Sequence, residues 1–424
     1  MWGDSIPEEP AGSNPDGVRA QPGVFDVENP HLFSPTVDYT IGSISPMWFH
    51  CENMATDLYD LRDAVPASPH GPQPTADGAW LAEAREMVAD LSVPSPLIYW
   101  IDLAISASVG YAGLLLFAGA QWFTLEQAIY YAIAVLGLFR AGSFIHEVVH
   151  LRHNHLRAFR SVWNVAFGMP LLIPSFFYLN HLAHHNSHRF GTSDDGEYLP
   201  LASGSWGTLL EFLVQVPLMP LWVLGRFLLS PLTFIHPRVR RWSLEHCSSF
   251  FINIRSRFAL PRNAPLARWA AIELACSLIA WGLVLPMFFD LPALLRADQV
   301  YAVAIGILTI NYFRTFLAHR YRSHGNEMTF LEQFDDSTTI EGHPLLTELL
   351  FPLGLRYHAL HHLFPTIPYH NLGIAHRRLM AGLPLDSPYR RTVFPNTWSA
   401  ARSFWSDFRQ ARSNYEARRV LEES

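Results

Sequence analysis

The chain has 424 residues, of which 50% are hydrophobic and 16% are charged, and its formal net charge is −7. Soluble domains carry roughly a quarter charged residues, so this composition argues against an ordinary soluble protein, and the acidic balance gives no indication of nucleic-acid binding. The three cysteines, Cys51, Cys247 and Cys276, form no CxxC pair, which argues against a disulfide framework and against a cysteine metal site.

The N-terminal region is polar and rich in proline, glycine and aspartate. Residues 1–90 lack the basic and then apolar pattern of a signal peptide. We expect them to form a mostly disordered cytoplasmic tail that ends in a short amphipathic helix over residues 77–91. His50 and Cys51 are neighbours in this tail, but no further ligand lies close to them in the sequence, so we interpret them as a chance pair.

Four apolar segments predict transmembrane helices in two hairpins, residues 96–118 with 125–145 and residues 269–289 with 300–318. Each has about 20 residues, which is enough to cross a hydrocarbon core of roughly 30 Å. Residues 209–235 are also apolar, but three prolines interrupt them. A single crossing there would place the histidine motifs on its two sides at opposite membrane faces. We therefore expect this segment to be interfacial or re-entrant.

The arginine distribution predicts an orientation for these spans. Arginines are concentrated in residues 237–268 and again from Arg377 onward. Because cytoplasmic loops carry an excess of basic residues, we predict that both segments and the N-terminal tail are cytoplasmic. Residues 381–424 would then form a cytoplasmic C-terminal tail.

Histidine is the unusual residue of this sequence, with 21 copies. An HxxxH motif at residues 146–150 ends the second predicted span, and HxxHH motifs occupy residues 181–185 and 358–362. One further histidine ends the fourth predicted span. The candidate metal ligands, which all map to one side of the membrane, are His146, His150, His181, His184, His185, His319, His358, His361 and His362.

The spacing of these histidines predicts a site for two metals. On a helix, positions i and i+4 lie on one face, about 5–6 Å apart at Cβ, so His146 and His150 can reach one metal. In each HxxHH motif we interpret the first two histidines as sharing a face and the third as rotated by about 100° from its neighbour, so that one motif can serve two metals. A single zinc site takes three or four protein ligands, and nine imidazoles are too many for one ion.

The first motif leaves a different class of enzyme open. His146, Glu147 and His150 match HExxH, in which a zinc protease uses the glutamate as general base. This reading leaves seven histidines without a role. Imidazole ligation suits iron, zinc and copper, but the membrane setting and the number of histidines favour iron. We interpret seven other histidines as surface residues or as neighbours of the ligands: His153, His155, His188, His324, His343, His370 and His376.

The series HxxxH, HxxHH and HxxHH resembles the membrane fatty acid desaturase and hydroxylase superfamily, of which it is the hallmark. The resemblance runs over roughly residues 125–378. It includes Asn164 between the first two motifs and the acidic stretch at residues 190–198. Residues 354–365 and 368–372 look like the third histidine box of a bacterial desaturase.

The resemblance implies an all-α integral membrane protein with about four transmembrane helices in two hairpins and a cytoplasmic, histidine-rich helical cap. Residues 91–380 would form the catalytic domain, in a bacterial inner membrane. It implies that the nine histidines bind two iron ions and that O2 is a co-substrate. The expected enzyme is an oxidoreductase that introduces a double bond into a fatty acyl or other lipid chain. Hydroxylation, carotenoid ketolation and oxidative decarboxylation to a terminal alkene remain alternatives, and a membrane zinc hydrolase is the alternative of another class.

Electrons would have to come from a separate protein, because the sequence has no haem domain, no CxxC knuckle, no set of ferredoxin cysteines and no GxGxxG motif. We therefore expect a small ferredoxin-like donor and its reductase as partners. Imidazole ligands are usually oriented by hydrogen bonds from the second ring nitrogen to carboxylates. The candidate carboxylates are Glu147, Asp194, Asp195, Asp335, Asp336 and Glu341.

Overall fold

The computed structural model describes residues 76–151, 155–248, 253–289, 291–292 and 294–423. His50, Cys51, His153 and most of the predicted N-terminal tail therefore lie outside the described residues. The α-helices are α1 Ala76–Val88, α2 Pro96–Gly119, α3 Leu125–His150, α4 Arg157–Trp163, α5 Asn180–His184, α6 Trp206–Leu228, α7 Pro237–His246, α8 Leu266–Val284, α9 Pro286–Phe289, α10 Ala297–Phe316, α11 Phe330–Asp336, α12 Pro344–Leu350, α13 His358–Leu363, α14 Tyr369–Gly382, α15 Pro388–Arg391 and α16 Thr397–Glu423.

The described strands are two residues long each. They are β1 Thr339–Ile340 and β2 Val393–Phe394, which pair in parallel with Thr339 opposite Val393. The described chain is thus essentially all α-helical, as the resemblance predicted.

The first hairpin, α2 and α3, is packed closely enough for backbone to touch backbone. Thr124 caps α3, since its side chain accepts a hydrogen bond from the backbone of Gln127. Gly137 of α3 faces Gly110 of α2, and a Cβ added at Gly137 would lie only 2.6 Å from the Gly110 Cα. Small residues of this kind allow membrane helices to approach each other closely.

Four described segments are long and apolar enough to cross a membrane: Pro96–Gly119, Leu125–His150, Trp206–Leu228 and Leu266–Phe289. Three of them match predicted spans. The fourth, α6, continues as one helix through Pro217 and Pro220, in the region expected to be interfacial or re-entrant. The predicted span at residues 300–318 forms α10, which is less apolar than these four segments because it carries Asp298, Gln299, Asn311 and Arg314.

The two ends of α10 lie at opposite ends of the hairpin that α2 and α3 form. Near its start, Gln299 donates a hydrogen bond of 3.0 Å to the carbonyl of Ala118, at the end of α2 remote from His146 and His150. Its C-terminal end leads directly to His319. Its 20 residues correspond to about 30 Å of helix, so α10 covers the full depth of the hairpin.

Both ends of α6, in contrast, lie on the histidine side. At its start, Trp206 packs against Phe408 of α16, with ring centroids 5.3 Å apart. Near its end, Phe227 stacks at 5.3 Å on Phe177, which lies four residues before His181. Because α6 is nonetheless long and apolar enough to cross a membrane, its interfacial or re-entrant placement, and with it the crossing by α10, stays a prediction.

The cap consists of the short helices around the histidine motifs together with α1 and α16. The predicted amphipathic helix is α1, whose Trp80 and Leu81 belong to one buried apolar cluster with Leu372 and Leu379 of α14. This contact ties the described end of the N-terminal region to the segment that follows the third histidine motif. The domain boundaries and the cytoplasmic location of the cap stay predictions.

Candidate metal centre

The structure brings all nine predicted histidines together, in two groups. Within each group, one ring nitrogen from every member lies within 4.8 Å of the others. The first group contains His146, His150, His181, His185 and His361, and the second contains His184, His319, His358 and His362. None of the other described histidines belongs to either group.

The two HxxHH motifs are divided between the groups in opposite ways. In the second motif, His181 and His185 face the first group, and their Nε2 atoms are 3.1 Å apart. In the third motif, His358 and His362 face the second group, again with 3.1 Å between their Nε2 atoms. In both motifs the histidines at i and i+4 share a group. The expectation that the first two histidines, at i and i+3, share a face was therefore wrong.

His319 has a central position in the second group. Its Nε2 lies 3.2 Å from that of His184 and 2.9 Å from that of His358. It follows α10 directly, and it is held in place by an isolated antiparallel bridge to Ser337. The single histidine after the fourth predicted span is thus as close to the convergence point as the motif histidines.

Two carboxylates, the buried Asp195 and the partly buried Glu197, orient two rings of the second motif. The Nδ1 of His181 lies 2.7 Å from Oε2 of Glu197, and the Nδ1 of His184 lies 2.8 Å from Oδ2 of Asp195. Asp195 is itself fixed, because its Oδ2 accepts a 3.0 Å hydrogen bond from the backbone of Gly191. With Nδ1 held by a carboxylate, Nε2 is left to point at a metal.

Asp195 was among the predicted carboxylates, but Glu197 was not. The sequence feature that could have identified Glu197 was its position in the acidic stretch after the second motif. Of the other candidates, Asp336 is fully buried, and its Oδ2 lies 3.7 Å from the Nδ1 of His319. Asp194 is exposed, and Asp335 pairs with Arg391 instead.

Glu147 is turned away from the role that a zinc protease would give it. Its carboxylate accepts a hydrogen bond from the Tyr99 hydroxyl and one of 3.2 Å from the backbone of Tyr369. Its side chain is buried among these groups. A general base must reach a bound water or substrate, so these contacts argue against the HExxH interpretation.

The protonation of the rings suits metal binding, since a ligating imidazole must be neutral. Burial lowers the pKa well below its usual value for five candidate ligands outside the spans: His181, His319, His358, His361 and His362. Burial also opposes protonation of His184, but the carboxylates of Asp195, Glu197 and Asp336 together outweigh it and raise the pKa of that ring. Burial raises the pKa of Glu197 to about 8, and cations held by the histidines would favour its charged form.

The donor set fits a pair of metal cations. Both ring nitrogens of His146 are buried without a hydrogen-bond partner among the described residues, and Oε1 of Glu147 lies 3.8 Å from Nδ1. An unpaired buried nitrogen is costly, and a cation between the rings would satisfy one of the two. Imidazole nitrogens with carboxylates behind them suit borderline metals such as iron. His146, His150 and the other seven histidines would hold the two ions.

An apolar cavity of about 470 Å³ adjoins the first histidine group. Residues of α3, α6, α8 and α10 line it, with His146 and Arg314 near the metal centre and Met287 and Asp298 near the remote end of α10. Its size lies within the roughly 300–1,000 Å³ that is usual for ligand pockets. The mostly apolar lining suits a hydrocarbon chain.

Comparison with known proteins gave two matches. Residues 120–394 match the family model described as fatty acid desaturase. A curated protein described as ceramide hydroxylase, from Caulobacter vibrioides (strain NA1000 / CB15N), is 37% identical over 344 residues. That alignment covers 79% of this chain and 95% of the Caulobacter protein.

Proposed function

The chain belongs to the fatty acid desaturase family, and we propose that it is a membrane di-iron enzyme that uses O2 to hydroxylate a hydrocarbon chain of a ceramide-like lipid. The observation that carries this proposal is that the two groups of histidines lie at one end of an apolar cavity. Such a cavity can lay an unactivated C–H bond beside two metal ions.

Iron supplies the chemistry for which the protein has no side chain, namely the activation of O2 and the oxidation of an unactivated C–H bond. The role of this chain's own residues is to bind the metal ions and to orient the substrate. His181 and His184 are fixed through Glu197 and Asp195, so little reorganisation is required when metal binds. The apolar walls of the cavity keep water away from the reacting carbon.

Hydroxylation consumes one O2, two electrons and two protons, inserts one oxygen atom into the C–H bond and releases one water. Desaturation uses the same reagents, removes two hydrogen atoms and releases two waters. Both reactions need an external reductant. We therefore retain the proposal of a separate small redox donor and its reductase, docking on the cap, with the cap on the cytoplasmic side of a bacterial inner membrane.

Sequence analysis favoured desaturation, and the family name supports it as the second candidate. The name of the Caulobacter relative, which the chain matches over most of both lengths, supports hydroxylation and a ceramide. The two reactions differ in how the C–H bond meets the metals and in whether a second hydrogen is removed.

The test is expression of the wild type and a His361→Ala variant in a bacterial host that makes ceramide, with a compatible electron donor, followed by lipid mass spectrometry. A ceramide that gains one oxygen atom in the wild type alone would support hydroxylation. Loss of two hydrogens would overturn hydroxylation and support desaturation. Equal products in both strains would contradict a role for His361 at the metal centre.

A further inference from the structure

Arg314 occupies the boundary between the apolar cavity and the metal centre. It lines the large cavity together with His146 and Tyr178, and it also lines the small space among the histidines, beside Glu197 and His319. Only 8% of its surface is exposed. A guanidinium group is thus held at the end of a hydrocarbon cavity where the reacting carbon would lie.

The hydrogen-bonding capacity of this guanidinium is largely unused. Its Nη2 donates a 3.0 Å hydrogen bond to Oδ1 of Asn311, whereas its Nε is buried without a partner among the described residues. In the described part of the chain, Arg314 forms no ion pair within 4.0 Å, although Glu197 lines the same small space. An arginine offers five N–H donors, and a buried unpaired donor is costly.

Two neighbouring polar groups complete this end of the cavity, one without a hydrogen-bond partner and one that holds the guanidinium. The Oγ1 of Thr315, which lines the same small space, is buried without a hydrogen-bond partner among residues that the structure describes. Asn311 lies one turn before Arg314 on α10, lines the large cavity and turns its amide oxygen to the guanidinium. The unsatisfied polar atoms are therefore concentrated at one end of a cavity with otherwise mostly apolar walls.

We propose that Arg314, positioned by Asn311, binds an oxygen atom of the substrate, an amide carbonyl or a hydroxyl, so that oxidation takes place within a few carbons of the polar end of the lipid. The apolar tail then runs down the cavity towards Met287 and Asp298. This inference rests on the proposed function and adds to it the position of attack. A substrate without an oxygen near the reacting carbon would leave the guanidinium unsatisfied.

The test is a binding measurement on the purified, metal-loaded full chain, which needs no turnover. Octadecanamide, octadecan-1-ol and octadecane compete with a pyrene-labelled alkane for the cavity. A hydrogen bond from a charged group corresponds to about 10- to 100-fold in affinity, so the wild type should bind the amide or the alcohol at least about tenfold more tightly than octadecane. Whichever is preferred identifies the oxygen as carbonyl or hydroxyl.

Variants at Arg314 assign that preference to its side chain. Arg314→Leu should bind the three compounds alike and keep the wild-type affinity for octadecane. Arg409→Leu removes an exposed arginine of α16 and should keep the preference. If Arg314→Leu loses metal or fails to fold, Arg314→Met replaces it, because its unbranched side chain also lacks an N–H donor, with the same loss expected.

Equal affinities in the wild type, or a preference that survives in the Arg314 variant, would overturn the inference. Either result would leave product formation by the wild type, and hence the proposed function, unaffected.

Discussion

The Nδ1 atom of His181 lies 2.7 Å from Oε2 of Glu197, and this contact turns Nε2 of the ring towards the first histidine group. Loss of a carboxylate behind a metal-bound histidine typically costs about 10- to 100-fold in metal affinity or activity. We therefore expect Glu197→Ala to bind iron about 10- to 100-fold more weakly, as measured by metal titration of the purified protein.

The control is Asp194→Asn, which removes a nearby acid that is exposed. It should leave iron affinity unchanged. Equal losses in both variants would show that the acidic stretch acts through its overall charge, and an unaffected Glu197→Ala would contradict the orienting role of this contact.

The division of the histidines into two groups can be tested by pairwise substitution. His181→Ala with His185→Ala removes two members of the first group and none of the second. We expect this variant to retain one of two irons per chain, and His358→Ala with His362→Ala to retain the other one. His181→Ala with His184→Ala takes one member from each group and should weaken both metals.

Metal analysis gives the number of ions per chain, and Mössbauer spectroscopy shows whether the ion retained differs between the two pair variants. His188→Ala, at an exposed histidine next to the second motif, should keep both ions. If both i, i+4 pairs removed both metals or neither, the division into two groups would be wrong.

The convergence of the nine histidines could be predicted from the sequence, because the motif spacing and the membrane ends placed them on one side. That they bind metal stays a prediction. Their division into groups could not. It depends on the angle at which each short helix enters the site, and α5 and α13 present their motifs in opposite senses. Glu197 was missed for a similar reason. Only the fold of residues 190–198 shows that Glu197 contacts His181 whereas Asp194 is exposed to solvent.

The helices that cross the membrane could be predicted from the sequence where composition alone identifies them, as it does for α2 and α3. Of the strongly polar residues of α10, Asp298, Asn311 and Arg314 line the cavity. For α6, length and apolar composition indicate a crossing helix, whereas the argument that keeps the histidine motifs on one membrane face predicts an interfacial or re-entrant segment.

Access of a lipid chain to the metal centre should depend on Gly142. It lines the cavity one turn before His146, and a Cβ added there would meet only the Ile173 side chain, at 3.9 Å. Gly142→Phe would project a ring into the cavity, so we expect both irons to be retained and lipid product to fall by about 100-fold, as for a misplaced substrate. Lipid mass spectrometry and metal analysis check the two parts.

Gly142→Ala is the matched control, because it adds a methyl group to open space. It should retain nearly full activity. Full activity in Gly142→Phe would show that the substrate does not use this part of the cavity, whereas loss of metal in that variant would show that the ring disturbs His146 instead.

The stability of the first hairpin should depend on glycine at position 137. A Cβ there would lie 2.6 Å from both the Cα and the backbone nitrogen of Gly110, so the two helices would have to separate. Overpacking of this kind typically costs about 1–3 kcal/mol, and we expect Gly137→Ala to lower the Tm in detergent by several degrees.

Gly282 of α8 is the matched control, since a Cβ there meets no atom within 4 Å among the described residues. Alanine favours a helix over glycine by roughly 0.5–1 kcal/mol, so Gly282→Ala should leave the Tm unchanged or raise it slightly. If both substitutions shifted the Tm in the same direction and by the same amount, helix propensity would account for the result, and close contact between α2 and α3 would not be what stabilises the hairpin.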